Sequence, residues 1–118
     1  MKTYRALNNN SKQPFFISCE HASKVIPRKY GTLGIKRKDL MKISDYYDVG
    51  AEELARMLAK RLNAKCIIPK YSRMVINLNK PLSHRKLIND NCFGTRIPAN
   101  KNLTQAERKS RIKYMVYI

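Results

Sequence analysis

Two histidines, His21 and His84, are the only imidazoles in this chain, and their surroundings differ. His21 follows Glu20 directly after Phe15-Phe16-Ile17-Ser18-Cys19, a short run without helical period that reads as a buried strand. Polar chemistry thus begins where a strand ends, the place at which open α/β sheets collect ligands. An imidazole beside a carboxylate is the ligand chemistry of a hydrolytic zinc site that keeps a position open for water. His84 stands between Ser83 and Arg85 in a polar stretch and reads as a surface residue. A second constellation is Tyr71-Ser72-Arg73 with Asn77-Leu78-Asn79-Lys80-Pro81. It fits an edge strand with solvated ends. It also fits a cluster in which Arg73, Asn79 and Lys80 hold a substrate carboxylate and a developing oxyanion, tasks suited to guanidinium and amide donors.

The elements that must position these groups are legible in part. From Asp48, the residues Val49, Ala51, Leu54, Ala55, Leu58, Ala59 and Leu62 recur at three- and four-residue spacing, which predicts an amphipathic helix. Glu52 and Glu53 lie near its start, Lys60 and Arg61 near its end, as the helix dipole favours, and Asn63 is its expected terminator. Lys65-Cys66-Ile67-Ile68 reads as a second strand stopped by Pro69, and Met74-Val75-Ile76-Asn77-Leu78 as a third. Strand, helix, strand suggests a parallel crossover. Residues 1–13 read as irregular. The stretch from Lys24 to Ile35, with Pro27, Gly31 and Gly34, reads as a loop, as do residues 82–102. Thr104-Gln105-Ala106-Glu107 is a capping box that opens a last helix.

Composition bounds the rest. A chain of 118 residues, 43% of them hydrophobic, has room for one domain, here residues 1–118. Cys19, Cys66 and Cys92 are far apart and odd in number, which reads as three reduced thiols. No apolar stretch nears the roughly 20 residues that span a bilayer, and no hydrophobic leader follows Met1, so the expectation is a cytoplasmic protein with no membrane partner. The net charge of +17 pulls toward phosphate binding. The basic residues are nevertheless spread evenly, with nothing longer than Lys36-Arg37-Lys38 and no aromatic RNA-binding signature, which makes nucleic acid an unfavoured partner.

Ser18-Cys19-Glu20-His21-Ala22-Ser23, Asp48-Val49-Gly50-Ala51, Tyr71 through Pro81, Gly94-Thr95-Arg96-Ile97-Pro98-Ala99-Asn100, and Glu107-Arg108 through Arg111-Ile112 together resemble the N-formylglutamate amidohydrolase family, in order and over nearly the whole chain. The resemblance implies an α/β fold with a mixed, largely parallel sheet flanked by helices, similar to the zinc carboxypeptidases and aspartoacylases. It implies a divalent metal, zinc by expectation, and an activated water attacking the formamide or amide carbonyl of a small N-acyl amino acid. Carried over by position, Glu20 and His21 belong to the metal site, Glu20 and Arg73 to catalysis, and Arg73, Asn79 and Lys80 to substrate binding. Three positions depart from the family pattern: Asn77 stands where Asp is usual, Lys80 where Arg is usual, and Lys24 where Asn is usual. Lys80 lacks the planar fork that grips a carboxylate bidentately. The family also continues to a His-Ser motif expected to give another metal ligand, whereas no histidine follows His84. The expectation is therefore an N-terminal portion only, a truncated phosphorylase/hydrolase-like fold of weak or absent activity, with Val75 and Ile67 on an uncovered face. The competing expectations are a basic nucleic-acid- or anion-binding module and a remnant without function.

Overall fold

The structure is a computed structural model that describes residues 1–42 and 47–116. Strand β1 (Tyr4–Leu7) and strand β2 (Phe16–Ser18) are followed by helix α1 (Arg37–Lys42), helix α2 (Ala51–Leu62) and strand β3 (Lys65–Pro69). Strands β4 (Asn91–Cys92) and β5 (Thr95–Arg96) then precede helix α3 (Gln105–Ile112). In the main sheet β3 is central, in the order β1-β3-β2. β2 runs parallel to β3 with Ser18 opposite Ile67, so the expected crossover through α2 is present. β1 runs antiparallel, Leu7 opposite Cys66. The sheet is thus mixed but not largely parallel, because β1 comes from the segment read as irregular. Four residues are too few to show a period. What holds them is the ladder to β3 and Asn8, whose side-chain amide donates to the carbonyls of Ala59 and Ala64 and so satisfies backbone left open at the end of α2.

Helix α2 starts after Gly50 and ends at Asn63, whose left-handed backbone (φ 49°) returns its N–H to the carbonyls of Ala59 and Lys60. The alanines, not the leucines, face the sheet. Ala55 and Ala59 are buried with Cys19, Ala22, Cys66 and Ile68, while Leu54, Leu58 and Leu62 are 56%, 40% and 45% exposed. Small side chains let the helix axis approach the strands, and the flanking leucines are turned outward. β2 is likewise less buried than its composition suggests, since it forms an edge and Phe15 and Phe16 are about half exposed.

The larger core lies in the irregular half of the chain and joins Leu33, Ile35, Met74, Val75, Ile76, Leu87, Ile88, Ile97 and Tyr114. Here the expected third strand is absent. The Val75 N–H closes a turn onto the Ser72 carbonyl at 3.0 Å, the Met74 carbonyl accepts from Asn100 Nδ2 at 2.7 Å, and the Val75 carbonyl accepts from Arg111 Nη1 at 3.1 Å. Side chains take the places a neighbouring strand would fill, so an apolar run that reads as β is buried without a ladder. Val75 and Ile67 are 0% and 2% exposed, which overturns the expectation of an uncovered face there. The long segment 82–102 also carries structure, the β4–β5 hairpin and a 3-10 turn at Pro98–Asn100. Gly34 makes this packing possible: a Cβ on it would lie 3.0 Å from Pro98 Cβ.

Candidate functional site

After β2 the Cys19 N–H still bonds the Ile67 carbonyl, and the chain then turns to bury His21, which is 8% exposed. Its Nε2 lies 2.8 Å from Asn77 Oδ1. That same oxygen accepts the Asn79 N–H at 3.1 Å, which fixes the carboxamide with its oxygen toward the ring and makes Nε2–H the donor. In the neutral ring Nδ1 is then the nitrogen that carries the lone pair. It faces Asp48, with Oδ2 at 3.4 Å, and the backbone ties the two residues together, since the Asp48 N–H donates to the His21 carbonyl at 2.8 Å. The other carboxylate oxygen, Oδ1, is 3.7 Å from Arg73 Nη1. Asn77, His21, Asp48 and Arg73 therefore form one connected row contributed by three separate parts of the chain.

Arg73 and Asn77 also line a cleft of about 170 Å³ with Met74, Asn89, Asn91, Cys92, Phe93 and Ile97. This volume is below the roughly 300–1,000 Å³ of pockets for drug-sized ligands, a size that suits a small molecule. One guanidinium and three carboxamides line it, and no carboxylate does. Such a lining suits an anion that also carries carbonyl oxygens. Burial pushes the Cys92 thiol up from its ordinary value, and the Arg73 cation opposes that shift, so Cys92 serves as neutral wall. The Arg73 guanidinium stands over the Phe93 ring, 5.2 Å from its centre.

Of the residues expected from sequence, His21 and Arg73 are brought together through Asp48. Glu20 does not join them: it accepts from Ser18 Oγ and lines a separate, largely apolar cavity with Phe16, Ile67, Leu78 and Met115. Asn79 reaches the row through its backbone, and neither its side chain nor that of Lys80 lines the cleft. His84 accepts the Lys86 N–H, in keeping with a local structural role. Asp48 and Asn77 were not among the expected site residues. Asp48 stands in one of the family-like motifs but in the sequence context of a helix start, and Asn77 stands where the family usually has Asp.

Two acceptors facing each other, the Nδ1 lone pair and a carboxylate oxygen, are donors of the kind a divalent cation takes. The row thus fits two ligands of a metal. Among the described residues no group of three or more His, Cys, Asp and Glu side chains is gathered, so the expectation of zinc is not borne out. No zinc assignment and no third ligand follow from these residues.

The family model described as N-formylglutamate amidohydrolase matches residues 13–115. A crystal structure of a gene product from Agrobacterium tumefaciens is similar at 32% identity and a TM-score of 0.86, over 97% of this chain and 45% of that one. The chain thus spans somewhat under half the length of that protein. No curated protein matches it. The family match extends over nearly the whole chain, residues 13–115, which corrects the expectation of a match to a truncated, N-terminal portion only. It also gives no support to the basic binding module or the remnant. Among the described residues no helix is long and apolar enough to cross a membrane.

Proposed function

For a chain that belongs to the N-formylglutamate amidohydrolase family, we propose hydrolysis of the formamide or amide bond of a small N-acyl amino acid, of which N-formylglutamate is the first candidate. The observation that carries this reading is the position of Arg73, which touches Asp48 of the His21 row on one side and lines the small cleft on the other. Substrate-holding and bond-cleaving groups are thereby adjacent. In the cleft Arg73 takes the substrate carboxylate or the oxyanion that develops on the attacked carbonyl, and the carboxamides of Asn77, Asn89 and Asn91 meet its remaining polar atoms.

The family suggests a metal-dependent hydrolase class, and His21 Nδ1 with Asp48 would hold the ion. When bound, a divalent metal polarises the carbonyl and supplies a nucleophilic water at neutral pH. The residues of this chain do the rest. Asn77 fixes the imidazole tautomer so that Nδ1 is available, a task usually given to a group behind the ligand. Asp48 compensates cationic charge, and the burial of His21 keeps bulk water from its ring. In the reaction water adds its oxygen to the acyl carbon, the C–N bond breaks, and the amine leaves with a proton as the free amino acid.

The test is release of formate from N-formyl-L-glutamate by the purified 118-residue chain supplied with a divalent cation. Arg73→Ala is expected to lower kcat/KM by about 100-fold, the loss typical of one positioned oxyanion donor. A folded, metal-supplied protein that is inert on N-formyl and N-acetyl amino acids alike would overturn the reading.

A further inference from the structure

The β4–β5 hairpin turns through Phe93 and Gly94, both at positive φ, 50° and 85°, with Cys92 paired to Thr95 across the turn. Two-residue turns with two positive φ values favour Asn-Gly, because asparagine adopts the left-handed region at little cost and an aromatic residue does not. Folding alone would therefore select asparagine at this position. Phe93 is also mostly exposed, at 68%, so burial does not explain it. What the ring does touch is Arg73, whose guanidinium lies 5.2 Å from its centre, and both residues line the same cleft. An unfavourable backbone conformation next to a binding cleft is the usual place for function to offset stability.

We propose that Phe93 is a positioning residue for Arg73, an inference that rests on the substrate-binding role given to Arg73 above. Arg73 has two partners that pull differently. Asp48 would draw its N–H groups away from the cleft, at a present separation of 3.7 Å. The Phe93 ring engages a face of the guanidinium, which leaves the edge donors free for a carboxylate. The aromatic residue thus keeps the fork turned into the cleft and out of a closed ion pair, and its exposed flank forms the apolar side of the entrance. A ligand that fits both is a small carboxylate with a short aliphatic chain beside the charge.

The experiment compares wild type with Phe93→Asn, Phe93→Ala, Phe93→Tyr and Arg73→Ala. Binding of N-formyl-L-glutamate is followed by calorimetry, the Arg73 side-chain resonances by NMR, and folding by thermal melting. Phe93→Asn supplies the residue the turn prefers, so it is expected to melt no lower than wild type. It should nonetheless bind the ligand about fivefold more weakly, the loss of one cation–π contact, and lose the upfield ring-current shift on the Arg73 protons. Phe93→Ala should weaken binding similarly, and Phe93→Tyr should bind like wild type. Wild-type affinity in Phe93→Asn, or Arg73 resonances unmoved by it, would overturn the proposal while Arg73→Ala still abolishes binding. Wild-type affinity in Arg73→Ala would instead bring down the substrate reading, and this proposal with it.

Discussion

His21 Nδ1 and Asp48 Oδ2 face each other at 3.4 Å, and the one ring N–H of a neutral His21 is committed to Asn77. Two acceptors in this position repel unless a cation, a proton or a metal ion, sits between them. The geometry that positions the pair is backbone-made, since Asp48 donates its own N–H to the His21 carbonyl.

Cation binding is therefore expected to depend on both residues. Titration with Co²⁺, read by visible absorption, should show at least a tenfold loss of affinity in Asp48→Asn and in His21→Gln. Glu20→Gln, which alters a carboxylate of the separate cavity, should bind Co²⁺ like wild type. A loss in Glu20→Gln equal to that in Asp48→Asn would restore Glu20 to the ligand set.

The two sides of α2 should respond oppositely to substitution. Ala59, 1% exposed, has no room for added methylenes, and Ala59→Leu is expected to cost about 1–3 kcal/mol. Leu58→Gln on the outward side should change stability by no more than about 0.5 kcal/mol. Urea unfolding of both variants decides the point, and the reverse order would mean that the helix is rotated.

Asn100 anchors the segment that carries Arg73. Its amide donates to the carbonyls of both Met74 and Asn89, and in Asn100→Ala both are left without that donor. The expected loss is about 2–4 kcal/mol, from one to two buried acceptors left unsatisfied. Loss of ligand binding should accompany it under conditions where the protein is still folded, because Met74 and Asn89 both line the cleft.

The capping box of α3 gives stability a definite pH dependence. Glu107 is held below the usual carboxylate range, first by the Thr104 backbone N–H and then by the Thr104 side chain, in the reciprocal arrangement seen at the helix start. A carboxyl whose folded pKa is depressed contributes stability above its unfolded pKa and loses it as pH falls through the folded value. Glu107→Gln should thus flatten the acid side of the stability curve below about pH 4.3, the ordinary glutamate value, and leave its alkaline side unchanged. Melting temperatures measured between pH 7 and pH 3 check this, and parallel curves would refute it.

What could be read from the sequence was whatever has a short-range signature. α2 and its Asn63 terminator follow from periodicity and a left-handed cap, β3 from an apolar run closed by Pro69, and α3 from Thr104 and Glu107. The orientation of α2 was not legible, because Ala and Leu share one stripe and only the sheet decides which of them it admits. Met74 to Leu78 misled for a related reason: burial made the run apolar, and burial does not specify a ladder. Of the candidate row, His21 and Arg73 stand out in the sequence by their chemistry, but Asp48 and Asn77 become visible only when residues 21, 48 and 77 are brought together in space. A sequence shows a carboxylate at a helix start and an amide in a strand, and nothing in either marks them as the two neighbours of one imidazole.

The side chains that replace a strand partner for Met74 and Val75 come from positions 26 and 36 residues further along. This fixes an order of assembly. The β2–α2–β3 unit lies within residues 16–69 and has its contacts once residue 69 is available, whereas the segment bearing Arg73 has no partner for its carbonyls until Asn100 and Arg111 arrive. On a ribosome the scaffold folds first and the cleft is sealed last, so a cleft-specific probe should report a later phase than the far-ultraviolet signal of α2.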